Sequence, residues 1–479
     1  MNTKIKFHVL LIYMCAYLTF SRMNKIAILL SLASILIYYA FAYHITRTDY
    51  AVLVLLYTVL FILFYKLVDI LKNNTKALTY FAFGFRAIFI LAIPNLSQDF
   101  YRFIWDGRMV LEGYNPYLYT VESFINKGVF PVAQAQELFN GMGILNASHF
   151  SNYPPLNQLC FTIAAFFFGK SILGSVVVMR LLIIAADFGT LHFGKKLLER
   201  LSLPSYHIFW FILNPFIIIE LTGNLHFEGV MIFFLVWSLY LLYSSKWQWA
   251  AVVLALSISV KLIPLIFLPL FFQWFTKRSK PNDKMWASTA LNLTSLILFY
   301  AIVGIVTLLL FAPFYSPKFI TNYTETVALW FTNFEFNASL YYIARAIGYT
   351  FRGYNEIAII GQYIPFVVLS FVFILTFFRR IKTLIQLITA MLLALSFYYF
   401  TATTVHPWYI ATLLILSVFT KYKFPLVWSF VIILSYLAYL NINKADKQEN
   451  LWIIALEYLI VYGVFIWDVF IKKAPRMEA

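Results

Sequence analysis

The sequence predicts an all-α, polytopic membrane protein of about 12–14 helices, whose long first outer loop carries a helix of its own. Three observations predict it. Hydrophobic residues make up 62% of the 479 and charged residues 12%, roughly half the charged share of about 25% in soluble domains. Apolar runs of spanning length recur along the whole chain. The basic residues gather in short turns between those runs, where they orient the protein and meet anionic headgroups. The runs are continuous, without the alternation of a β-barrel strand. The formal charge of +16 therefore implies membrane lipids as partners and no nucleic acid, because no basic domain exists to carry one.

Taken in order, residues 1–25 read as a dispensable N-terminal segment or an extra helix, and 26–479 as one membrane domain. Lys4 and Lys6 precede a short apolar stretch, but Phe20-Ser21-Arg22 is no small-residue cleavage site, and Met23 offers a second start. Spans are expected near 26–43, 50–71, 77–94, 171–193, 205–221, 227–243, 287–312, 357–378, 382–400, 405–420, 424–441 and 451–471. Basic groups at Lys72 and Lys76, at Lys277, Arg278 and Lys280, at Arg379, Arg380 and Lys382, at Lys421 and Lys423, and at Lys472, Lys473 and Arg476 mark the inner side. The loops 95–155 and 313–337 then face outward. Two segments leave the path open. If 156–168 spans, Lys195, Lys196 and Arg200 fall outside; if it is re-entrant, they fall inside. The second path also makes 249–275 rise and return with Lys261 near its turn, and puts Gly223–Glu228 on the outer side. It is the favoured one. Cys15 and Cys160 lie in apolar segments as buried thiols.

The first outer loop opens with QDFYRFIWDGRMVLEGYNPY, residues 98–117. Helical spacing puts Asp99, Arg102 and Asp106 on one face and Tyr101, Trp105 and Arg108 on another. The segment begins where a span ends, so it reads as an interfacial helix with Trp and Tyr at headgroup level. Gly113 ends it and Asn115-Pro116 turns the chain. The loop closes on a re-entry element, Tyr153-Pro154-Pro155. Asn224, His226 and Glu228 form a polar knot between two spans. Lys261 sits inside an apolar segment, where a charge costs about 2.5–3.5 kcal/mol, so it reads as functional or as snorkelling to the interface. No nucleotide-binding loop, metalloprotease helix or paired-cysteine motif occurs. No metal site and no cofactor are expected: Asp99 and Asp106 make no compact metal-binding pair, which weighs against a divalent cation without deciding metal dependence.

These motifs resemble the polytopic glycosyltransferases of the GT-C fold, most closely the bacterial mannosyltransferases that use polyprenyl-phosphate sugars. The resemblance rests on Asp99-x-Tyr101-Arg102-x-x-Trp105-Asp106-Gly107-Arg108, on Gly113-x-Asn115-Pro116-Tyr117 and on Tyr153-Pro154-Pro155-Leu156. Leu213-Asn214-Pro215, Gly223-Asn224-Leu225-His226, Val260-Lys261-Leu262-Ile263-Pro264-Leu265 and His406-Pro407-Trp408-Tyr409 follow in the same order. Glu228 stands where that group carries Asp.

The resemblance implies a transfer of a hexose, mannose above all, from a polyprenyl-phosphate donor to a lipid or glycan acceptor on the extracytoplasmic side of a bacterial inner membrane, with inversion. It places the catalytic base at Asp99, which otherwise reads as a cap for the helix that follows. Asp106 is the rival base or the partner of Arg102 or Arg108. Those arginines suit a leaving phosphate, as do Lys261 and His406. Tyr101, Trp408 and Tyr409 read as sugar-stacking or belt residues, and Asn224, His226 and Glu228 as lining of the same site. A lipid-linked glycan flippase or an O-antigen polymerase-like enzyme is the alternative; the first would concentrate charge at mid-membrane, the second would carry its long charged loop later in the chain.

Overall fold

A computed structural model describes residues 25–276, 291–441 and 449–472. The N-terminal segment before Lys25, Cys15, and the basic groups Lys277, Arg278, Lys280, Lys473 and Arg476 lie outside those residues. Among the described residues seven helices are long and apolar enough to cross a bilayer: Lys25–Tyr43, Tyr50–Leu71, Ile172–Arg200, Leu293–Phe314, Ile357–Phe378, Leu384–Thr401 and Leu451–Ile471. Ser205–Ile212 and Pro215–Gly223 form an eighth candidate, bent by 49°. Six shorter apolar helices complete the bundle: Pro155–Phe168, Glu228–Tyr243, Trp247–Val260, Ile263–Thr276, Pro407–Val418 and Phe424–Leu440. The protein is an all-helical polytopic membrane protein. Among the described residues the one extended pairing is an isolated bridge between Phe336 and Thr404.

Local sequence accounts for the breaks. Pro215 cannot continue the hydrogen-bond ladder, and the Asn214 side chain caps the new start by accepting from the Phe216 N–H at 2.9 Å. Val260 ends its helix because Lys261 is extended, at φ −148° and ψ 141°, and Pro264 opens the next turn.

The vertical path follows from three contacts. Lys195 Nζ reaches Thr75 Oγ1 at 3.4 Å, so the end of Ile172–Arg200 lies beside the basic 72–76 turn. Pro155–Phe168 therefore doubles back on the top of that helix instead of adding a crossing. Tyr243 donates to the Arg200 carbonyl, so Glu228–Tyr243 descends to the same end. The Trp247 ring meets Phe275 at 6.2 Å, so 247–276 rises from that end, turns at Lys261 and returns. Arms of 14–16 residues climb about 21–24 Å at about 1.5 Å per residue, short of the roughly 30 Å hydrocarbon layer. Lys261 and Glu228 thus meet at the vertex of two inverted hairpins. Irregular backbone at such depth persists only where protein or a wet cavity surrounds it.

The loop helix is present at Asp99–Leu111, but its surroundings differ from an interfacial helix. Trp105 is 2% exposed, and Phe100, Phe103, Ile104 and Met109 are buried as well. Apolar positions on several faces let Pro155–Phe168 and Ala135–Ala147 cover it from both sides, so protein and not headgroups receives the aromatics. Gly107 makes the approach feasible: a Cβ there would lie 2.2 Å from the Phe161 carbonyl oxygen. Gly107→Ala should destabilise the protein by about 1–3 kcal/mol through overpacking. Thermal unfolding in detergent checks this against Gly84→Ala, where a Cβ meets nothing within 4 Å and no shift is expected.

The second outer loop closes over the first. Helix Pro317–Thr332 sends Asn322 Nδ2 to the Tyr117 carbonyl at 2.9 Å. Tyr323 donates to the Asn152 carbonyl at 3.3 Å, and Asn115 Nδ2 donates to the Phe314 carbonyl at 2.9 Å.

Candidate active site

Two adjoining chambers lie under these loops, with Asn152 and Tyr153 in the wall of both. The larger holds about 170 Å³ and is lined by Lys261 and Glu228 on one side and by Leu262, Val327, Phe331, Tyr398, Tyr399 and Tyr409 elsewhere. The smaller holds about 30 Å³ and is lined by Asp99, Arg102, Asn146, His149, Ser151 and Thr326 among others. One chamber is aromatic with a single ion pair; the other is polar.

Asp99 begins its helix, and its backbone N–H bonds to Ser97 Oγ at 3.3 Å. Its carboxylate makes no hydrogen bond with any described residue. Burial pushes its pKa up to about 6; the Lys261 charge opposes that rise, Glu228 adds to it, and Arg47 again opposes it. A carboxylate without a protein partner, raised toward neutrality and facing a cavity, is available to take a proton.

Asp106 is the opposite case. It is 1% exposed and accepts from Arg102 Nε at 2.8 Å, Ser151 Oγ at 2.6 Å and Gln158 Nε2 at 3.1 Å. It lines neither chamber and serves as the bolt that ties helix 99–111 to the re-entry loop. Arg102 Nη1 donates to the Asn146 and His149 carbonyls, each at 2.8 Å. Arg108 holds the Ala133 carbonyl and Gln134 Oε1, away from both chambers. Arg108 therefore lines neither chamber, whereas Arg102 stands in the wall of the smaller one.

Lys261 donates to Glu228 Oε1 and lies 6.0 Å from the Tyr409 ring centre. Glu228 Oε2 is buried with no hydrogen-bond partner. Arg180, which the sequence reading passed over, fastens the loop before it: its guanidinium donates to the Ile90, Ala92, Thr222 and Gly223 carbonyls at 2.6–3.0 Å. That clamp supports Leu225, which adopts φ 63°, a left-handed conformation that costs about 1–3 kcal/mol.

The motifs of helix 99–111, Tyr153, the 223–228 turn and Lys261 all fall within residues 11–277, the stretch that matches the family described as alpha-(1->6)-mannopyranosyltransferase, N-terminal domain. The chain belongs to that family. It is also similar to alpha-(1->6)-mannopyranosyltransferase A of Mycobacterium tuberculosis, 21% identical over 225 residues. That alignment covers 45% of this chain and 42% of the relative, so the chain spans less than half the length of the curated protein it matches. The resemblance read from the sequence motifs and the family match agree.

Within this family member, the expected site residues divide. Asp99, Arg102, Tyr153, Pro154, Glu228, Lys261 and Tyr409 line the chambers. Asn224 and His226 turn instead toward a buried carboxylate, Glu220: Asn224 Nδ2 donates to it at 3.2 Å, Tyr436 OH at 2.7 Å, and His226 Nε2 stands 4.0 Å away. Trp408 presents no face to a sugar, because His226 stacks on it at 3.7 Å and His406 at 4.6 Å. His406 in turn lies on Phe336 at 4.9 Å, so this column braces the second outer loop against the 402–409 turn. Tyr101 packs into the space left by Gly141, where a Cβ would strike its ring at 2.6 Å. Pro155 is buried as the first residue of its helix. Among the described residues no three His, Cys, Asp or Glu side chains gather as a metal-binding group. Arg47, His149, Thr326, Tyr398 and Tyr399 were not singled out by the sequence; no motif or spacing marks them.

Proposed function

We propose that this protein transfers a mannosyl group from a polyprenyl-phosphate donor to a hydroxyl of a lipid or glycan acceptor, on the extracytoplasmic side of the membrane. The observation that carries this reading is Asp99: a carboxylate with no hydrogen-bond partner among the described residues, in the wall of a polar chamber that adjoins the aromatic one holding Lys261. In the reaction, the acceptor oxygen attacks the anomeric carbon while Asp99 accepts the hydroxyl proton. The anomeric C–O bond breaks on the opposite face, and its electron pair leaves with the lipid phosphate. Configuration inverts in a single displacement. Lys261 lies where it neutralises that phosphate as charge develops, the electrostatic contribution that often dominates such catalysis. Tyr398, Tyr399, Tyr409 and Phe331 supply apolar and ring surface for the first isoprenoids. The basic turns at 72–76, 379–382 and 421–423 favour the outer face, since the chambers lie at the other end of the bundle.

The test is transfer from radiolabelled polyprenyl-phosphate mannose in reconstituted membranes, with GDP-mannose in parallel. Turnover with the lipid donor alone is expected; turnover with the nucleotide sugar alone would sink the reading. Lys261→Met keeps the stem and removes the charge. It should raise the donor KM and lower kcat together, for a fall in kcat/KM of about 10²–10³.

A further inference from the structure

We propose that helix Leu340–Arg352 is a lipid-docking surface. It lies along the membrane boundary on the chamber side, with one apolar stripe sunk among the lipids, and apolar burial rather than charge holds it there. Leu340, Ile343, Ile347 and Phe351 fall at i, i+3, i+7 and i+11, a single stripe of that helix. The stripe points away from the protein. Ile343 is 59%, Ile347 55% and Phe351 81% exposed, and Leu340 is exposed as well. A contiguous apolar face of this kind marks a contact with a partner or a membrane.

The polar groups of the helix face inward and fix its roll. Tyr341 OH donates to Glu335 Oε2 at 2.8 Å, Arg345 Nη1 donates to Glu335 Oε1 at 2.5 Å, and Tyr342 OH donates to Glu449. The Arg345 guanidinium also lies 4.3 Å from the Tyr342 ring centre. Rolling the stripe inward would break all of these contacts. What covers the stripe follows from where the chain goes next. Gly353 ends the helix in the left-handed region, at φ 75°, and three residues later Ile357–Phe378 begins, one of the helices apolar enough to cross a bilayer. That helix exposes Tyr363 and Phe366, and its Gly361 packs on the carbonyl of Phe331, a residue of the larger chamber's wall. The stripe therefore continues a surface that the bilayer covers, at the level of the chambers. Tyr349 and Tyr354 are exposed beside it, as suits side chains at headgroup level.

Interfacial helices commonly use Lys and Arg to attract anionic lipids. Here the two charged residues of the helix are both arginines, and both are paired: Arg345 with Glu335, and Arg352 Nε with Glu356 at 3.4 Å. Docking should therefore depend little on lipid charge.

The experiment measures spin-label accessibility on the full chain, one copy per phosphatidylcholine nanodisc, and needs no substrate. Labels are placed singly at Ile343→Cys, Ile347→Cys and Phe351→Cys in a Cys15→Ser, Cys160→Ala background. Each label should collide with oxygen about threefold or more often than with a water-soluble nickel chelate, as a face sunk into the acyl boundary requires. Replacing about a quarter of the lipid with phosphatidylglycerol should leave that ratio unchanged, because the paired arginines offer the leaflet little net charge. Dominant nickel collisions would put the stripe in water and overturn the proposal. Few collisions with either reagent would put it against protein and overturn it equally. A ratio that rises with phosphatidylglycerol would overturn attachment by apolar burial.

Discussion

Asp99→Asn should lower kcat/KM for mannosyl transfer by about 10²–10⁴, the usual contribution of a positioned general base, without lowering the thermal midpoint. Both halves follow from its surroundings. The carboxylate has no hydrogen-bond partner among the described residues, so an amide of the same shape breaks nothing. Its pKa is raised from 3.8 to about 6 by burial; the ionised form is disfavoured in the fold, and removing it relieves that penalty at neutral pH. The same value sets the pH profile. The base works ionised, so kcat/KM should be level above about pH 7 and fall tenfold per unit below about 6 as the carboxylate protonates. Asp99→Glu should keep some activity with the acid limb still present. A full-rate Asp99→Asn enzyme, or a profile with no acid limb, would end the role assigned to this residue.

Asp106→Ala should be the most destabilising change in the loop, at about 3–5 kcal/mol. It leaves the Arg102 guanidinium buried without its carboxylate and strips Ser151 and Gln158 of their shared acceptor. Its readout is unfolding, by thermal denaturation in detergent, and activity should fall in proportion to folded protein. Asp106→Asn keeps one acceptor oxygen and should cost less. The two aspartates, seven positions apart on one helix, are thus expected to separate in these assays, Asp99 by turnover and Asp106 by stability. A variant that folds with wild-type stability yet has lost transfer would instead make Asp106 part of the chemistry.

Much of the architecture was legible because membrane physics writes it in long apolar runs. The long apolar helices and the helix at 99–111 follow from hydropathy and a Gly/Asn-Pro stop, whereas the spans expected at 77–94, 227–243, 405–420 and 424–441 are shorter helices. Lys261 was legible too, since a charge inside an apolar segment needs a reason, and the reason was the vertex of a hairpin. The side chains are where local reading stopped. Arg108 and Trp408 carry the right chemistry for a phosphate and a sugar, yet Gln134 holds one and two imidazoles cover the other. His149 and Thr326, about 175 positions apart, have no motif to join them.

The sequence alone determined that this chain is a helical membrane protein and that Asp99 begins a helix within a polar loop, because burial of apolar runs and exclusion of charge act residue by residue. Tertiary structure decided which of two aspartates is hydrogen-bonded among the described residues, which cations line a chamber, and that two chambers meet at Asn152 and Tyr153. Those depend on which partners long-range packing brings within hydrogen-bond reach, and no pattern along the chain encodes that directly.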